Sequence, residues 1–451
     1  MSFQSPELLP KSELEALEKA LRRLNAGFDL PARAPNPVGL EEVLLETAQR
    51  LQDNFPYFHP LYAGQMLKPP HPVARLAYAL ALWINPNNHA LDGGRASSAM
   101  EKEAIAEIAA MFSWQRHLGH LCSGGTMANL EALWIAGRLA PGRKVVASSQ
   151  AHYTHQRIST VLGLAFDPVP CDRRGRMNVD ALARMLQKGD IGTVVATMGT
   201  TSTGSVDPLE ELLELKAKHG FRLHADAAYG GYFGLVDNLP AETQSAFARL
   251  TDVDSLVIDP HKHGLQPYGC GCVLFRDPAV GSWYKHDSPY TYFSSDKLHL
   301  GEISLECSRP GAAAVALWAT QKLLPLVRGG EFAKQLARSR SAALRFHEKL
   351  KANPKFLTTF SPELDIVVWC PQAGSVSRIS SLARGIFNEA ARHNLHLALA
   401  QLPVSLFDLS GTVVDEETVT CLRSVLMKPE HLDWVDPICE ILERVTNSVM
   451  A

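Results

Sequence analysis

The chain has 451 residues, too many for one ordinary core, so two or three domains are expected. Apolar residues make up 46% and charged residues 20%, and a net charge of -3 excludes a general attraction for nucleic acid or anionic membrane. No apolar stretch is long enough for a membrane span, and the opening MSFQSPELLPKSELEALEKALRRL lacks the basic-then-apolar pattern of a signal peptide, so a cytoplasmic protein is expected.

The first elements are two helices. An amphipathic one is expected over Ser12 to Leu24, and a second from Leu40 to about Gln52, after the turn-rich DLPARAPNPVG. Neither can bury its apolar face alone, so they are expected to clasp the main body or a partner subunit. From about residue 100 helix and strand alternate. MEKEAIAEIAAMF has helical period, and HLCSGGTMANLEALWIAGRLA reads as a Gly-rich turn opening into a helix. KVVASS and TVVATMGT are short apolar strands. Asp207 is expected to N-cap the helix DPLEELLELKAKHG, which Gly220 ends. FRLHADAA, SLVIDPHK and GCVLFRD are three further strands. This alternation implies a mostly parallel sheet covered on both faces, with its ligand beyond the carboxyl ends of the strands. GAAAVALWATQKLLPL is a long helix, and Arg328-Gly-Gly marks a break before a smaller α+β domain. The expected division is a helical segment over 1–60, a large domain over 61–327 and a small one over 328–451.

The distinctive residues fall at the strand ends. Lys262 follows a strand in SLVIDPHKHG. A lysine there is often a solvated charge, but a partly desolvated one can attack a carbonyl. Asp226 ends a strand in LHADAAYGGYF, where Ala225, Ala227, Ala228 and two glycines leave room for a flat ring. A carboxylate set against a pyridine nitrogen would keep it protonated. Ser123-Gly124-Gly125-Thr126 opens a helix and offers backbone N–H groups to a phosphate. His152, in SSQAHYTHQR, could stack on an aromatic ring. Thr200 and Thr201, in MGTTSTGSVDP, offer hydroxyls. The eight cysteines are scattered and read as free thiols. Cys270-Gly-Cys272 fits no zinc pattern, and no metal is expected.

Taken in order, SGGTMANLEAL, the His of QAHYTH, GTTSTGSVDP, HADAAYGG, DPHK and CSRPGAAAVALWA resemble the group II pyridoxal-phosphate-dependent decarboxylases. The resemblance runs from roughly His59 to the C-terminus. It implies a fold type I architecture, pyridoxal 5'-phosphate as cofactor, an L-amino acid as substrate, and a homodimer with its active site at the interface. It also implies roles. Lys262 holds the cofactor as a Schiff base. His152 stacks on one ring face, Ala228 packs on the other, and Asp226 pairs with the ring nitrogen. Gly125 and Thr126 hold the phosphate with His261 and Ser255, and Thr200 lies near the ring substituents. Arg423, in TCLRSVLMKP, matches an arginine that binds a substrate carboxylate. Tyr290, in KHDSPYTYFSSDKLHLGE, is a candidate proton donor, with Tyr292 and the catalytic candidate His152 as alternatives. Two departures stand out: Met127 where the family often has Glu, and His263 in place of a common aromatic residue or Met. The expected reaction is decarboxylation. The loop SPYTYF and the following SRPG also resemble carbon–carbon lyases that act on sphingosine phosphate, which keeps that chemistry as an alternative, and a non-catalytic binding relative is a second one.

Overall fold

The structure is a computed structural model that describes residues 8–31, 36–90, 92–285 and 303–451. Its first two helices are Lys11–Asn25 and Leu40–Leu51, within two residues of expectation, and neither holds a buried residue. The large unit is built on seven strands: β1 Leu118–Cys122, β2 Lys144–Ser148, β3 Phe166–Val169, β4 Ile191–Thr197, β5 Arg222–Asp226, β6 Ser255–Ile258 and β7 Gly271–Phe275. They lie in the order β1-β7-β6-β5-β4-β2-β3. β2 through β6 pair in parallel, whereas β7 runs antiparallel to both β6 and β1. The carboxyl ends of β1, β2, β4, β5 and β6 therefore share one edge. The strands read as continuous apolar runs because helices cover both faces. β4, IGTVVAT, is buried at every position.

Asp207 is not a helix cap. The helix Leu209–His219 is preceded by Pro208 with no side-chain cap, and Gly220 closes it in the left-handed conformation at φ 72°. The buried Asp207 carboxylate instead accepts the backbone N–H groups of Met177 and Thr197, each at 2.7 Å. Two short amide donors stand in for water there, although burial still pushes the carboxyl up to about 7.

The helix Gly311–Leu323 packs on the helices Pro72–Leu82 and Arg95–Met111. Past Gly329, at φ 71°, the chain turns into the helix Glu331–Ala352. Four antiparallel strands follow in the order β10-β11-β9-β8, where β8 is Phe356–Thr358, β9 Ile366–Pro371, β10 Ala398–Pro403 and β11 Thr418–Val425. The smaller α+β unit is as expected, with one short strand more. Its sheet has two apolar faces. Val367, Trp369 and Leu422 pack with its own helices, while Ile366, Val368, Cys370, Val419, Cys421 and Val425 join the core of the large unit. The period of two along β11 puts Arg423 on the side facing that large unit.

Candidate active site

Five strand ends converge on a cavity of about 350 Å³, lined by Gly124, Gly125, Thr126, His152, Asp226, Ala228 and Lys262, among others. The volume lies in the range of small-molecule and cofactor pockets. Each lining group leaves its strand at the same edge. β1 leads into Ser123–Thr126, β2 into His152, β4 into Gly199 and Thr201, β5 into Asp226 and Ala228, and β6 into Asp259, His261 and Lys262. The helix Gly125–Leu139 starts at the cavity, so its first backbone N–H groups point there without intrahelical partners. A Cβ at Gly125 would stand 2.6 Å from Asp259 Oδ2, so any larger residue there would displace that carboxylate.

The electrostatics are specific. Asp226 is buried, and burial pushes its carboxyl upward. The hydrogen bond from His155 Nε2 to Oδ2 at 2.8 Å and the electrostatic pull of His155 and Lys262 outweigh that, and the group is held well below the usual carboxylate range. Its other oxygen accepts the Ala228 N–H at 3.1 Å. Lys262 Nζ lies 3.0 Å from Asp259 Oδ2. Burial lowers the His152 pKa, an effect partly countered by Asp226. His152 Nδ1 accepts the Thr154 N–H at 3.3 Å, which fixes the ring. His261 donates from Nδ1 to the Cys270 carbonyl at 2.8 Å.

Not every expected residue arrives. Thr200 does not line the cavity. Its hydroxyl is turned inside the loop, 2.7 Å from Thr203 Oγ1 and accepting the Ser205 N–H, and the neighbouring Thr201 lines the cavity instead. Ser255 does not belong to the phosphate cradle. It starts β6, at the opposite end of the strand from Lys262, and its Oγ sits 2.9 Å from His224 Nδ1. Arg423 is buried one layer away, near Tyr229 and Tyr62, with Nη2 3.3 Å from Gln65 Oε1 and Nε without a partner among the described residues. Tyr290 and Tyr292 lie outside the described residues.

Several supporting groups escaped the sequence reading. His155 orients Asp226, and its signal was a second histidine three residues after His152. Asn129 lines the cavity one helical turn beyond Gly125, donates to the Gly125 carbonyl at 2.8 Å and accepts from His224 Nε2 at 2.9 Å. Asp259, Tyr229 and Tyr268 also line it.

A glycine-lined helix start, an ionised carboxylate, a fixed imidazole and an amine at one edge of this sheet match the needs of pyridoxal phosphate: anion, ring nitrogen, ring face and aldehyde. The fold and site define a fold type I pyridoxal-phosphate enzyme. Residues 135–370 match the family model described as the pyridoxal-dependent decarboxylase conserved domain. A probable L-tyrosine/L-aspartate decarboxylase of Methanothermobacter thermautotrophicus is 30% identical over 310 residues, covering 68% of this chain and 82% of the relative. The L-tyrosine decarboxylase of Enterococcus faecium is 28% identical, covering 69% and 67%. The crystal structure of Oryza sativa TDC with PLP and tryptamine superposes with a TM-score of 0.79 at 16% identity, covering 99% of this chain and all of that one. The chain belongs to the pyridoxal-dependent decarboxylase family. It is a pyridoxal-phosphate-dependent amino-acid decarboxylase, and neither the carbon–carbon lyase nor the binding-protein alternative is favoured.

Proposed function

We propose that the substrate is an aromatic L-amino acid whose carboxylate is drawn by Arg423. The observation that carries this reading is the buried Arg423 guanidinium, with one N–H unpartnered among the described residues, beside a cavity walled by Tyr229 and Tyr268. A buried cation without a carboxylate partner is costly unless a ligand completes it. The Enterococcus faecium relative, named for tyrosine decarboxylation, supports the same class, while the Methanothermobacter relative is named for both tyrosine and aspartate. A second reading, an acidic substrate, is favoured by two further buried amines. Burial pushes Lys68 down to about 8 and Lys428 to about 7, and among the described residues their Nζ atoms hydrogen-bond the carbonyls of Met427 and Tyr62. Carbon dioxide and amine release over tyrosine, phenylalanine, aspartate and glutamate separates the two. A higher kcat/KM for aspartate than for tyrosine would overturn the aromatic assignment.

The residues divide the work as follows. Gly125, Thr126 and His261 bind the phosphate, Asp226 holds the ring nitrogen protonated, and Lys262 supplies the amine that carries the cofactor. His152 and Ala228 cover the two ring faces, and the lowered pKa of His152 leaves its imidazole neutral against a cationic ring. Bound there, the cofactor would supply an electron-accepting ring for the decarboxylation. Arg423 orients the substrate so that the bond to its carboxylate, and no other, stands perpendicular to the ring. Return of a proton to the α carbon is assigned to Tyr290 on the resemblance alone.

We also propose a homodimer. Val43, Leu44, Leu45 and Leu51 are each about 60% exposed on the second helix, an apolar stripe suited to a second copy. Residues 1–60 would form this clasp, with 61–327 and 328–451 as the two folding units. Eight free thiols support a reducing, cytoplasmic setting. Light scattering of Leu44→Glu against the parent tests the dimer.

A further inference from the structure

The buried carboxylate of Asp365 has no part in the roles assigned above, yet it joins two turns of the active site. It belongs to the smaller unit, one residue before β9. Tyr229 donates its hydroxyl to Asp365 Oδ1 at 2.6 Å, and His263 Nε2 lies 3.2 Å from Oδ2. All three residues are buried. The His263 ring is wedged edge-on against Tyr229 at 4.7 Å and Phe233 at 5.0 Å. Chain position gives these contacts their meaning. Tyr229 directly follows Ala228, and His263 directly follows Lys262. The two turns belong to different strands, β5 and β6, and Asp365 hydrogen-bonds the residue after Ala228 and lies in ion-pair distance of the residue after Lys262.

We infer that Asp365 is a positioning residue, which through Tyr229 and His263 registers the turn of Ala228 against the turn of Lys262. The inference rests on the proposed roles of those two residues. Isolated, a carboxylate at this depth costs several kcal/mol. It is held here by a hydroxyl, an imidazole and the nearby Lys68 charge, and the carboxyl stays below its usual range although burial alone would raise it. A carbon isostere would fill the same space but could not fix the phenol. The Tyr229 hydroxyl is committed to Asp365, so its ring is the part offered to the cavity it lines. The turn has little other freedom, because a side chain at Gly230 would collide with the Met198 carbonyl. His263, a departure from the family's common residue, is thereby accounted for: an aromatic or Met side chain could pack on Tyr229 but could not meet the carboxylate.

The test uses the holoenzyme of Asp365→Asn, Tyr229→Phe, His263→Phe and the Tyr229→Phe/Asp365→Asn pair. Each single variant should lower kcat about tenfold, since small misplacements of reacting groups are felt strongly. KM should change less than about threefold. Near-visible circular dichroism of the bound cofactor should weaken in each. The double variant should be no worse than Asp365→Asn alone, because both changes break one link. If Asp365→Asn does not fold, Tyr229→Phe, which loses only a hydroxyl, carries the same test. Variants that lose thermal stability while kcat and dichroism match the parent would overturn the inference, as would additive losses in the double variant. Borohydride labelling of the parent keeps the outcomes apart: cofactor that is not fixed to Lys262 refutes the site assignment, whereas labelling with unchanged variants refutes only the role of Asp365.

Discussion

His155→Leu tests how the carboxylate of Asp226 is held. Leucine keeps comparable bulk and removes the donor, leaving the Ala228 N–H as the carboxylate's one hydrogen-bond donor among the described residues. A hydrogen bond to a buried charge contributes about 1.5–3 kcal/mol, equivalent to a rise of roughly one to two pKa units. Burial already pushes this carboxyl upward and would then act less opposed. Starting well below the ordinary range, Asp226 would still be ionised at neutral pH, so what the variant loses is orientation. The cofactor dissociation constant should rise about 10- to 100-fold, the same free energy read as affinity. Linkage gives a second signature. A carboxyl with a depressed folded-state pKa stabilises above its unfolded value, and that contribution is lost as pH falls through the folded value. The apoprotein of the variant should therefore be less stable than the parent at neutral pH, with the gap narrowing below about pH 4. Fluorescence titration of apoprotein with pyridoxal phosphate measures the first effect and urea unfolding at two pH values the second. His155→Gln, whose amide can still donate, should recover part of both. Cofactor affinity within about twofold of the parent in His155→Leu would refute the reasoning.

Three further outcomes are expected. Ser255→Ala should leave cofactor affinity unchanged and lower stability by about 1 kcal/mol, the value of one buried hydrogen bond, while Thr126→Val weakens cofactor binding; titration of the two side by side checks that Ser255 lies outside the cradle. Arg423→Met should raise KM for the amino acid about tenfold or more while the near-visible absorbance of the holoenzyme is kept; steady-state kinetics beside the spectrum decide it. His224, pushed down by burial to about 3, is bonded through both nitrogens as a neutral ring. The unfolded chain takes up this proton first, so the stability it contributes is complete above about pH 6.5 and lost as pH falls toward 3. His224→Gln should flatten the urea midpoint against pH across that window, and an unchanged slope would sink the assignment.

The sequence showed the site best where a strand ends in small residues. HADAAYGG and DPHK each combine an apolar run with a stop, and the shared direction of parallel strands puts both stops at the same edge of the sheet. It showed less where one residue decides direction. Thr200 and Thr201 are adjacent in a turn, and the backbone turns the first inward and the second to the cavity. Ser255 was misplaced because resemblance names a residue without saying which end of β6 it occupies. Asp207 sits where a cap would, but its carboxylate accepts two buried amides from other elements and none from the helix start. His155 and Asp365 were out of reach for another reason. Their partners are 71 and 136 residues away, and no local pattern marks a histidine or an aspartate as the support of another group.

Those supports also explain why the cavity has its shape before any cofactor enters. Asp226 is aimed by His155 and Ala228, the helix start is tied to β5 through Asn129 and His224, and the two following turns are joined at Asp365. One contact has to be given up. Lys262 Nζ rests on Asp259 Oδ2, and an amine committed to a cofactor no longer carries that charge on that partner. Asp259 Oδ1 has no other partner among the described residues, and His261 Nε2 is 3.6 Å from Oδ2. His261 is therefore placed to take over the carboxylate from the lysine beside it. Its Nδ1 already donates to the Cys270 carbonyl, so Nε2 can donate to the carboxylate or the phosphate only when the ring carries a proton on both nitrogens.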